Sequence, residues 1–187
     1  MTGKSVQEPR TRHPGDPTPE AEVARMIRVD HAGEYGARRI YEGQLAVLGR
    51  NAGGGSIRRM YDQELEHLER FEKLMVARRV RPTALQPLWH VAGFALGAAT
   101  AMMGERAAMA CTVAVEEVID EHYGGQAARL GPEEAELKGT IEEFQADERE
   151  HRATALDRGA EKTPGYQVLR GAIKSGSRLA IWLSERI

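Results

Sequence analysis

The strongest constraint on this chain is a pattern of glutamate and histidine residues that occurs twice. Each half contains a lone glutamate, then a gap of 30 residues (34 to 64) or 32 residues (116 to 148), then a Glu-x-x-His pair. The six positions are Glu34, Glu64 and His67 in the first half and Glu116, Glu148 and His151 in the second. Four carboxylates and two imidazoles in this order are typical of a di-iron or di-manganese site inside a four-helix bundle.

Helical periodicity places these six residues on apolar faces. Ile27, Glu34 and Tyr41 recur at seven-residue steps, which puts Glu34 on an inward-facing stripe. The other five candidate ligands lie on comparable stripes of three further segments, whereas acidic neighbours such as Glu66 and Glu150 fall on other faces. A single Glu-x-x-His pair is common on solvated helices, but two pairs in register with apolar stripes indicate a buried cluster.

Buried carboxylates need a counter-charge. Four of them converging would repel one another and raise their pKa values, and two divalent cations would neutralise them. Spacing i, i+3 brings a carboxylate and an imidazole to one side of a helix, where both can reach the same ion. Cys111, in an apolar run, is the only cysteine, so an all-thiolate metal site and an intrachain disulfide are excluded. The ligand types suit iron and manganese alike.

The chain as a whole predicts an all-α fold, because no segment alternates with the period of a strand. Residues 1–17 are polar and rich in proline and form a predicted disordered tail, followed by one domain over 18–187. Helix boundaries are signalled by Thr18-Pro19, Gly53-Gly54-Gly55, Arg81-Pro82, Gly131-Pro132 and Thr163-Pro164. They delimit four bundle helices, an additional apolar helical segment between the second and third, and a shorter C-terminal helix.

The segment from Thr83 to Gly104 contains no Asp, Glu, Lys or Arg. Three interpretations remain open from the sequence: a transmembrane span, an ordinary core helix, or a surface that contacts lipid without crossing the bilayer. Pro87 and several glycines weigh against a span. Gly93 and Gly97, four residues apart, would allow a close approach between helices.

The net charge and the N-terminal residues bear on nucleic-acid binding and on the cellular compartment. The formal net charge is −2 and no basic stripe is present, which gives no support for nucleic-acid binding. The first residues lack the apolar core of a signal peptide, so a bacterial cytoplasm is the simplest expected compartment.

Several other residues are candidates for supporting roles. Asp30 and Asp120 each lie one turn from a lone glutamate and are candidate acceptors for the N–H groups of the ligand imidazoles. His31 and His122 are candidate partners of the cluster, although ordinary hydrogen-bonded histidines would look the same. Four tyrosines are more typical of core positions than of redox sites: Tyr35, Tyr41, Tyr61 and Tyr123.

Specific motifs over about residues 20–187 resemble one known family. The motifs are Arg28-Val-Asp-His-Ala-Gly-Glu-Tyr-Gly-Ala37, Asp62-Gln-Glu-Leu-Glu-His67, Arg79-Val-Arg-Pro-Thr83, Ala110-Cys-Thr-Val-Ala-Val-Glu-Glu-Val118 and Leu183-Ser-Glu-Arg186. They are similar to motifs of the demethoxyubiquinone hydroxylases of ubiquinone biosynthesis. Trp182 stands where some relatives carry tyrosine.

The resemblance implies a ferritin-like, membrane-associated monooxygenase with two iron ions per chain. Its metal ligands fall on the six residues of the doubled pattern, with Glu64 and Glu148 bridging and Glu34 and Glu116 terminal. The implied reaction uses dioxygen, and NADH as electron donor, to hydroxylate the ring of demethoxyubiquinol (2-polyprenyl-3-methyl-6-methoxy-1,4-benzoquinol). The implied setting is peripheral, on the cytoplasmic face of the bacterial inner membrane, with homo-oligomers and a lipid-binding accessory protein as expected partners.

Two other classes share the ligand set. A ferritin-like ferroxidase or peroxide-reducing protein would need neither the apolar segment nor lipid. A non-enzymatic iron-storing or lipid-binding bundle would need no quinol substrate. An iron-storing bundle predicts a large closed assembly with a mineral core, whereas the hydroxylase predicts about two metal ions per chain, detergent-dependent solubility and co-purifying quinone.

Overall fold

The computed structural model describes residues 13, 15–49 and 54–187, and every regular element within them is helical. The predicted all-α fold is therefore confirmed, whereas the predicted tail over 1–17 lies outside the described residues apart from 13 and 15–17. Six α-helices follow one another: α1 Pro19–Leu48, α2 Gly54–Arg78, α3 Gln86–Met102, α4 Glu105–Ala127, α5 Ala135–Asp157 and α6 Tyr166–Ser184. Short 3-10 turns at Pro132–Glu134 and Ala160–Lys162 precede α5 and α6.

The helix ends follow local sequence signals. Thr18 caps α1, accepting a hydrogen bond at its hydroxyl oxygen from the Ala21 N–H at 3.2 Å, and Pro19 occupies the first helical position. Arg79 leaves α2 with a φ of 53°, in the left-handed region that commonly ends a helix. The boundaries that the glycine run and Arg81-Pro82 predicted are thus close to the observed ends of α2. Of the glycine run, Gly53 lies outside the described residues, and Gly54 and Gly55 open α2.

The six helices form two halves of the same order. The α1–α2 and α4–α5 pairs build a four-helix bundle, α3 packs on α1, and α6 packs on α4. Each half is therefore a helix pair that carries three candidate ligands, followed by a third helix laid on the first helix of its own half. This arrangement confirms the predicted ferritin-like bundle with an additional apolar helix and a C-terminal helix.

The contact between α1 and α3 depends on glycine. A Cβ at Gly97 would collide with the backbone carbonyl of Ile40, and a Cβ at Gly43 would collide with the backbone carbonyl of Phe94. Each helix therefore presents a glycine where the backbone of the other arrives, which allows the two axes to approach closely. Gly93 and Gly97 serve the close contact that their spacing predicted.

The apolar core is divided into two clusters along the bundle. One cluster includes Ile27, Phe71 and Ile141, and the other includes Ile57 and Met109. On each bundle helix the candidate ligands lie between residues of the two clusters, so the polar centre is closed off at both ends by apolar packing.

The apolar segment is neither fully buried nor long enough to span a bilayer. Within α3, Gly97 and Ala101 are buried against the bundle, whereas Leu88 and Val91 are more than half exposed. None of the helices in the described part of the chain has the length and hydropathy needed to cross a membrane.

Candidate metal centre

All six residues of the doubled pattern meet in the middle of the bundle. Each of them is at most 2% exposed. Their donor atoms form two groups in which every atom lies within 4.8 Å of the others. The structure thus brings together every candidate ligand that the sequence predicted.

The two groups overlap, which defines two subsites. Subsite 1 consists of Glu34, His67 and the shared Glu64 and Glu148, and subsite 2 consists of Glu116, His151 and the same two shared glutamates. The His67 Nδ1 atom lies 3.3 Å from a carboxylate oxygen of Glu34 and 3.3 Å from one of Glu148. The His151 Nδ1 atom lies 3.0 Å from Glu148 and 3.4 Å from Glu64. Glu64 and Glu148 therefore belong to both groups and would be shared if each group held an ion.

Most atoms that face the centre of the cluster form no hydrogen bond, although several lie at ion-pair distance from one another. One oxygen each of Glu34, Glu116 and Glu148, both oxygens of Glu64, and the Nδ1 atom of His67 are buried without a hydrogen bond to any described residue. Buried polar atoms without partners are costly, and most are satisfied in folded proteins. Carboxylate oxygens and imidazole nitrogens with free lone pairs are donors for a divalent cation, so the residues fit a dinuclear metal site.

Protonation within the cluster shows the same need for positive charge. Burial raises the pKa of Glu64 and of Glu116 well above the ordinary range, and the nearby Glu148 raises both further. Burial also opposes ionisation of Glu148, but its contacts with His151 and His67 outweigh this effect and lower its pKa. Burial alone would lower the pKa of His67, whereas Glu148 and Glu34 raise it. Protons thus compensate the crowded carboxylates, in the place that cations would take.

Each ligand imidazole is oriented by a residue of the opposite half of the chain. The Nε2 atom of His67 lies 3.1 Å from Asp147 on α5, and the Nε2 atom of His151 lies 3.0 Å from the side-chain oxygen of Gln63 on α2. Both partners immediately precede a shared glutamate. These contacts keep Nδ1 directed at the cluster, as a neighbouring acceptor does for metal-bound histidines.

The prediction that Asp30 and Asp120 would accept these imidazole N–H groups is wrong. Asp30 accepts a hydrogen bond from Gln126 at 2.7 Å and lies 3.2 Å from His122, and Asp120 accepts one from Arg149 at 2.8 Å. The reason is geometric: Asp30 and Asp120 lie on α1 and α4, whereas the outer ring edges of His67 on α2 and His151 on α5 meet Asp147 of α5 and Gln63 of α2. The repeated position before each Glu-x-x-His motif was the available sequence signal.

Two of the four tyrosines donate to the lone glutamates. The Tyr41 hydroxyl on α1 donates to Glu116 on α4 at 2.7 Å, and the Tyr123 hydroxyl on α4 donates to Glu34 on α1. Each tyrosine follows a lone glutamate by seven residues, so the exchange between halves is symmetric. Periodicity predicted both as buried, but their roles as donors to the cluster were missed.

The other candidate partners stand apart from the cluster. Tyr35 lies 2.6 Å from a ring nitrogen of His90, and Tyr61 donates to Glu42 at 3.2 Å. His31 is buried, which lowers its pKa, and its Nδ1 atom has no hydrogen-bond partner among the described residues. His122 contacts Asp30 rather than a candidate ligand.

An apolar cavity of about 350 Å³ lies beside the cluster, between α1, α3, α4 and α6. Gly33 and Ala37, which flank Glu34 in sequence, line its wall, together with Val115, the neighbour of Glu116. Gly176 and Ala180 of α6 contribute the opposite wall. Small side chains therefore separate the cavity from both lone glutamates, and its volume is in the range of small-molecule pockets.

A ferritin-like bundle that encloses a doubled Glu and Glu-x-x-His set defines a class of helical proteins with a candidate dinuclear carboxylate–histidine site. Residues 21–184 match the model of the family described as ubiquinone biosynthesis protein COQ7, and the chain belongs to this family. It is 57% identical over 187 residues to a Rhodospirillum rubrum protein named 3-demethoxyubiquinol 3-hydroxylase, covering 100% of this chain and 87% of the relative.

Eukaryotic relatives are also similar over most of their length. A Homo sapiens protein named NADPH-dependent 3-demethoxyubiquinone 3-hydroxylase, mitochondrial, is 56% identical over 171 residues, covering 89% of this chain and 79% of the relative. A Saccharomyces cerevisiae protein named 5-demethoxyubiquinone hydroxylase, mitochondrial, is 43% identical over 180 residues, covering 87% of this chain and 77% of the relative. The predicted family resemblance is confirmed.

Proposed function

We propose that this enzyme, a demethoxyubiquinol hydroxylase of ubiquinone biosynthesis, works as a di-iron monooxygenase whose metal ligands are the six clustered residues. Family membership and the names of its relatives support the hydroxylation. The observation that carries the metal assignment is the set of buried carboxylate and imidazole atoms without hydrogen bonds, gathered in two overlapping groups.

The cluster is built to hold two ions of the same kind. His67 with Glu34 would hold one and His151 with Glu116 the other, while Glu64 and Glu148 would bridge them. Iron bound there would supply the activation of dioxygen, the co-substrate of the reaction. The protein keeps the four carboxylates converged, directs both Nδ1 atoms inward, and surrounds the centre with apolar side chains that exclude water.

The substrate in this proposal is demethoxyubiquinol, with its ring in the apolar cavity. The cavity reaches the helix faces beside Glu34 and Glu116, and an uncharged ring fits an apolar wall of small residues. One oxygen atom enters the ring and the other leaves as water, with two electrons from a reductant. The polyprenyl tail would follow the exposed apolar side chains of α3 and α6, gaining about 25 cal/mol per Å² of buried apolar area.

The electron donor in this proposal is NADH. The sequence contains no Gly-x-Gly-x-x-Gly fingerprint, so the donor would not bind in the manner of a Rossmann domain. Several relatives are named NADPH-dependent, and both nicotinamides should therefore be compared as electron donors in the same assay.

The proposed location is the cytoplasmic face of a bacterial inner membrane, in peripheral contact. Large exposed apolar side chains on or just after α3 and α6 support this location: Leu88, Val91, Met102, Met103, Val168, Leu179 and Trp182. Lipid, a second copy of the chain, or a lipid-binding accessory protein would each cover such a surface. Nucleic acid is not proposed as a partner, because the net charge is slightly negative.

The metal assignment is tested by a matched pair of variants on α2. Glu64 is fully buried in the cluster, whereas Glu66, two residues later, is exposed. We expect Glu64→Gln to lose iron and hydroxylation of a short-tailed demethoxyubiquinol, and Glu66→Gln to keep both. Full iron content and full activity in Glu64→Gln would refute the assignment. If the native protein binds iron and oxidises it but does not hydroxylate the quinol, the ferroxidase alternative is favoured.

The substrate assignment is tested by a second matched pair on α6. Gly176 lines the cavity and Gly171 does not, and each has open space where a Cβ would lie. We expect Gly176→Leu to raise the KM for the quinol by roughly tenfold, and Gly171→Leu to leave KM unchanged, with normal iron content in both. Unchanged kinetics in both variants would move the substrate out of this cavity.

A further inference from the structure

The two halves of the cluster are related by a repeat that holds for nearly every group in contact with it. Adding 82 residues takes Glu34 to Glu116 and Tyr41 to Tyr123, and adding 84 takes Glu64 to Glu148 and His67 to His151. The hydrogen bonds of the tyrosines follow the same exchange between halves. Where the chain departs from the repeat and corresponding positions carry different residues, the difference can make the two subsites unequal, because the candidate ligands and tyrosines around them are the same in both halves.

The first departure is the partner of each ligand imidazole. By the 84-residue offset Gln63 corresponds to Asp147, and each lies about 3 Å from the Nε2 atom of the opposite histidine. The geometry is equivalent, but the acceptor of His67 is a carboxylate and the acceptor of His151 is a neutral amide oxygen. Subsites 1 and 2 thus have the same donor atoms and different partners behind them.

A carboxylate and an amide act differently on a metal-bound imidazole. When Nδ1 faces a cation, the ring proton resides on Nε2 and is donated to the acceptor behind it. A carboxylate acceptor draws that proton more strongly, which makes Nδ1 a more basic donor to the metal. Asp147 also adds a negative charge on the side of subsite 1, reduced by screening because its side chain is 34% exposed.

A second departure lies on the same side. Asp30 and Thr112 correspond by the 82-residue offset, as do Ile40 and His122. The buried Asp30 contacts His122 and Gln126, next to Tyr123, which donates to Glu34 of subsite 1. At the equivalent place beside subsite 2 the chain has Thr112 and Ile40. Compared with subsite 2, subsite 1 therefore has two further polar residues beside it, Asp30 and His122, in addition to the carboxylate of Asp147.

We infer that the two subsites are unequal, that subsite 1 binds its metal ion more tightly than subsite 2, and that Asp147 is the positioning residue that makes it so. The inference rests on the proposed function, because it requires that the cluster bind two ions. Beyond the proposed function, subsite 1 fills with metal before subsite 2, and Asp147 sets this order.

The order is tested with variants that leave one subsite each. Glu116→Ala removes the carboxylate found only in subsite 2, and Glu34→Ala removes the carboxylate found only in subsite 1. Each variant is titrated with Co²⁺, a divalent probe whose visible absorption reports ligand geometry. We expect one ion per chain in each, bound at least about tenfold more tightly in Glu116→Ala than in Glu34→Ala. Equal affinities, or the reverse order, overturn the inference.

The role of Asp147 is tested within the same two backgrounds. In Glu116→Ala, Asp147→Asn should weaken Co²⁺ binding by roughly 10- to 100-fold and shift the absorption bands. In Glu34→Ala, Gln63→Glu should tighten binding, because it places a carboxylate behind His151. Glu150→Gln serves as the control, since Glu150 is exposed on α5 and makes no contact with either ligand imidazole.

Outcomes separate this inference from the proposed function. If Asp147→Asn does not fold, Gln63→Glu still tests the role of the imidazole partner, because it adds a carboxylate and leaves Asp147 in place. Unchanged Co²⁺ affinity in Gln63→Glu, or in a folded Asp147→Asn, shows that the partner does not set metal affinity and overturns the inference. If the native chain binds two Co²⁺ ions but the single-subsite variants bind equally, only the inference fails. If the native chain binds no Co²⁺, the proposed metal centre fails with it.

Discussion

At the scale of single residues, the lone glutamates are held by tyrosine hydroxyls of the opposite half. Burial raises the pKa of Tyr41 and of Tyr123 well above the ordinary value of 10.0, and the carboxylates beside them raise both further. Both phenols therefore remain protonated at ordinary pH and can always donate. Each fixes one oxygen of a lone glutamate and leaves the other directed at the cluster.

Removing the Tyr41 hydroxyl should therefore destabilise the fold. We expect Tyr41→Phe to lower the free energy of unfolding by about 1–3 kcal/mol, because it leaves a buried carboxylate oxygen without its donor. Tyr61→Phe is the matched control, since Tyr61 bonds Glu42 near the surface and should cost less than about 0.5 kcal/mol. Urea denaturation of the metal-loaded protein measures both, and equal effects would contradict the proposed support.

The raised pKa values in the cluster predict proton release on metal binding. Glu64, Glu116, His67 and His151 all have raised pKa values, so at neutral pH the cluster holds protons that incoming cations displace. Metal affinity should therefore fall as the pH is lowered from about 8 to about 6. Calorimetry in two buffers of different ionisation enthalpy counts the protons, and an affinity independent of pH would be inconsistent with the cluster.

At the scale of helices, α6 is held on α4 by a row of ion pairs. Glu117 and Glu121 of α4 face Arg170, Lys174 and Arg178 of α6, with Lys174 2.9 Å from Glu117 and Arg178 2.8 Å from Glu121. The Glu117 side chain is only 10% exposed, in contrast to 56% for Glu121. Because α6 forms one wall of the cavity, this row also holds that wall in position.

Acid should loosen this row through Glu117. Burial favours the protonated form, but Lys174 and Arg170 outweigh it and hold the pKa of Glu117 below its ordinary value of 4.5. Because its pKa is lowered in the folded state, ionised Glu117 contributes stability above about pH 4.5. This contribution is lost as the pH falls through the lowered pKa. Stability measured against pH should therefore decline in that range in the native protein.

The matching variant is Glu117→Gln. We expect it to lower the free energy of unfolding at pH 7 by about 1–3 kcal/mol, because it leaves the partly buried Lys174 and Arg170 without their counter-charge. Glu121→Gln, at an exposed position of the same row, should cost less than about 1 kcal/mol. Below the pKa of Glu117, thermal unfolding of Glu117→Gln and of the native protein should converge, and a constant difference would argue against the ion pair.

At the scale of the whole molecule, the two halves place their third helices side by side around the cavity. The same helices carry most of the large exposed apolar side chains, including Leu88 and Val91 of α3 and Leu179 and Trp182 of α6. One region therefore combines an apolar surface with a cavity whose wall includes the sequence neighbours of Glu34 and Glu116. In the proposed function, a lipid substrate would enter the cavity from this surface.

Membrane contact through this region predicts a position-dependent effect of charge. Trp182→Glu should abolish flotation of the protein with vesicles of anionic bacterial lipids, because a charge in the contact surface costs the apolar burial that supports binding. Val76→Glu is the control, since Val76 is 81% exposed on α2, outside this region. Equal flotation of both variants would count against α6 as a contact surface.

The sequence alone determined the helical fold and the six candidate ligands. Both depend on local periodicity: a Glu-x-x-His pair in register with an apolar stripe is buried whichever neighbour covers it. The same reasoning separated the buried Glu64 from Glu66, and Glu148 from Glu150, both of which are exposed. Helix ends were also largely predictable, because Thr18, Pro19 and the glycine run act on the adjacent backbone.

Tertiary structure decided which residues act across helices. Asp147 and Gln63 contact the imidazoles, and Tyr41 and Tyr123 contact the lone glutamates, only because facing helices pack at one particular rotation and height. Periodicity defines the face of each helix but not the partner opposite it, so Asp30 and Asp120 were assigned wrongly. The half-exposed position of α3 was likewise left open by its composition, and packing against α1 through Gly43 and Gly97 decided it.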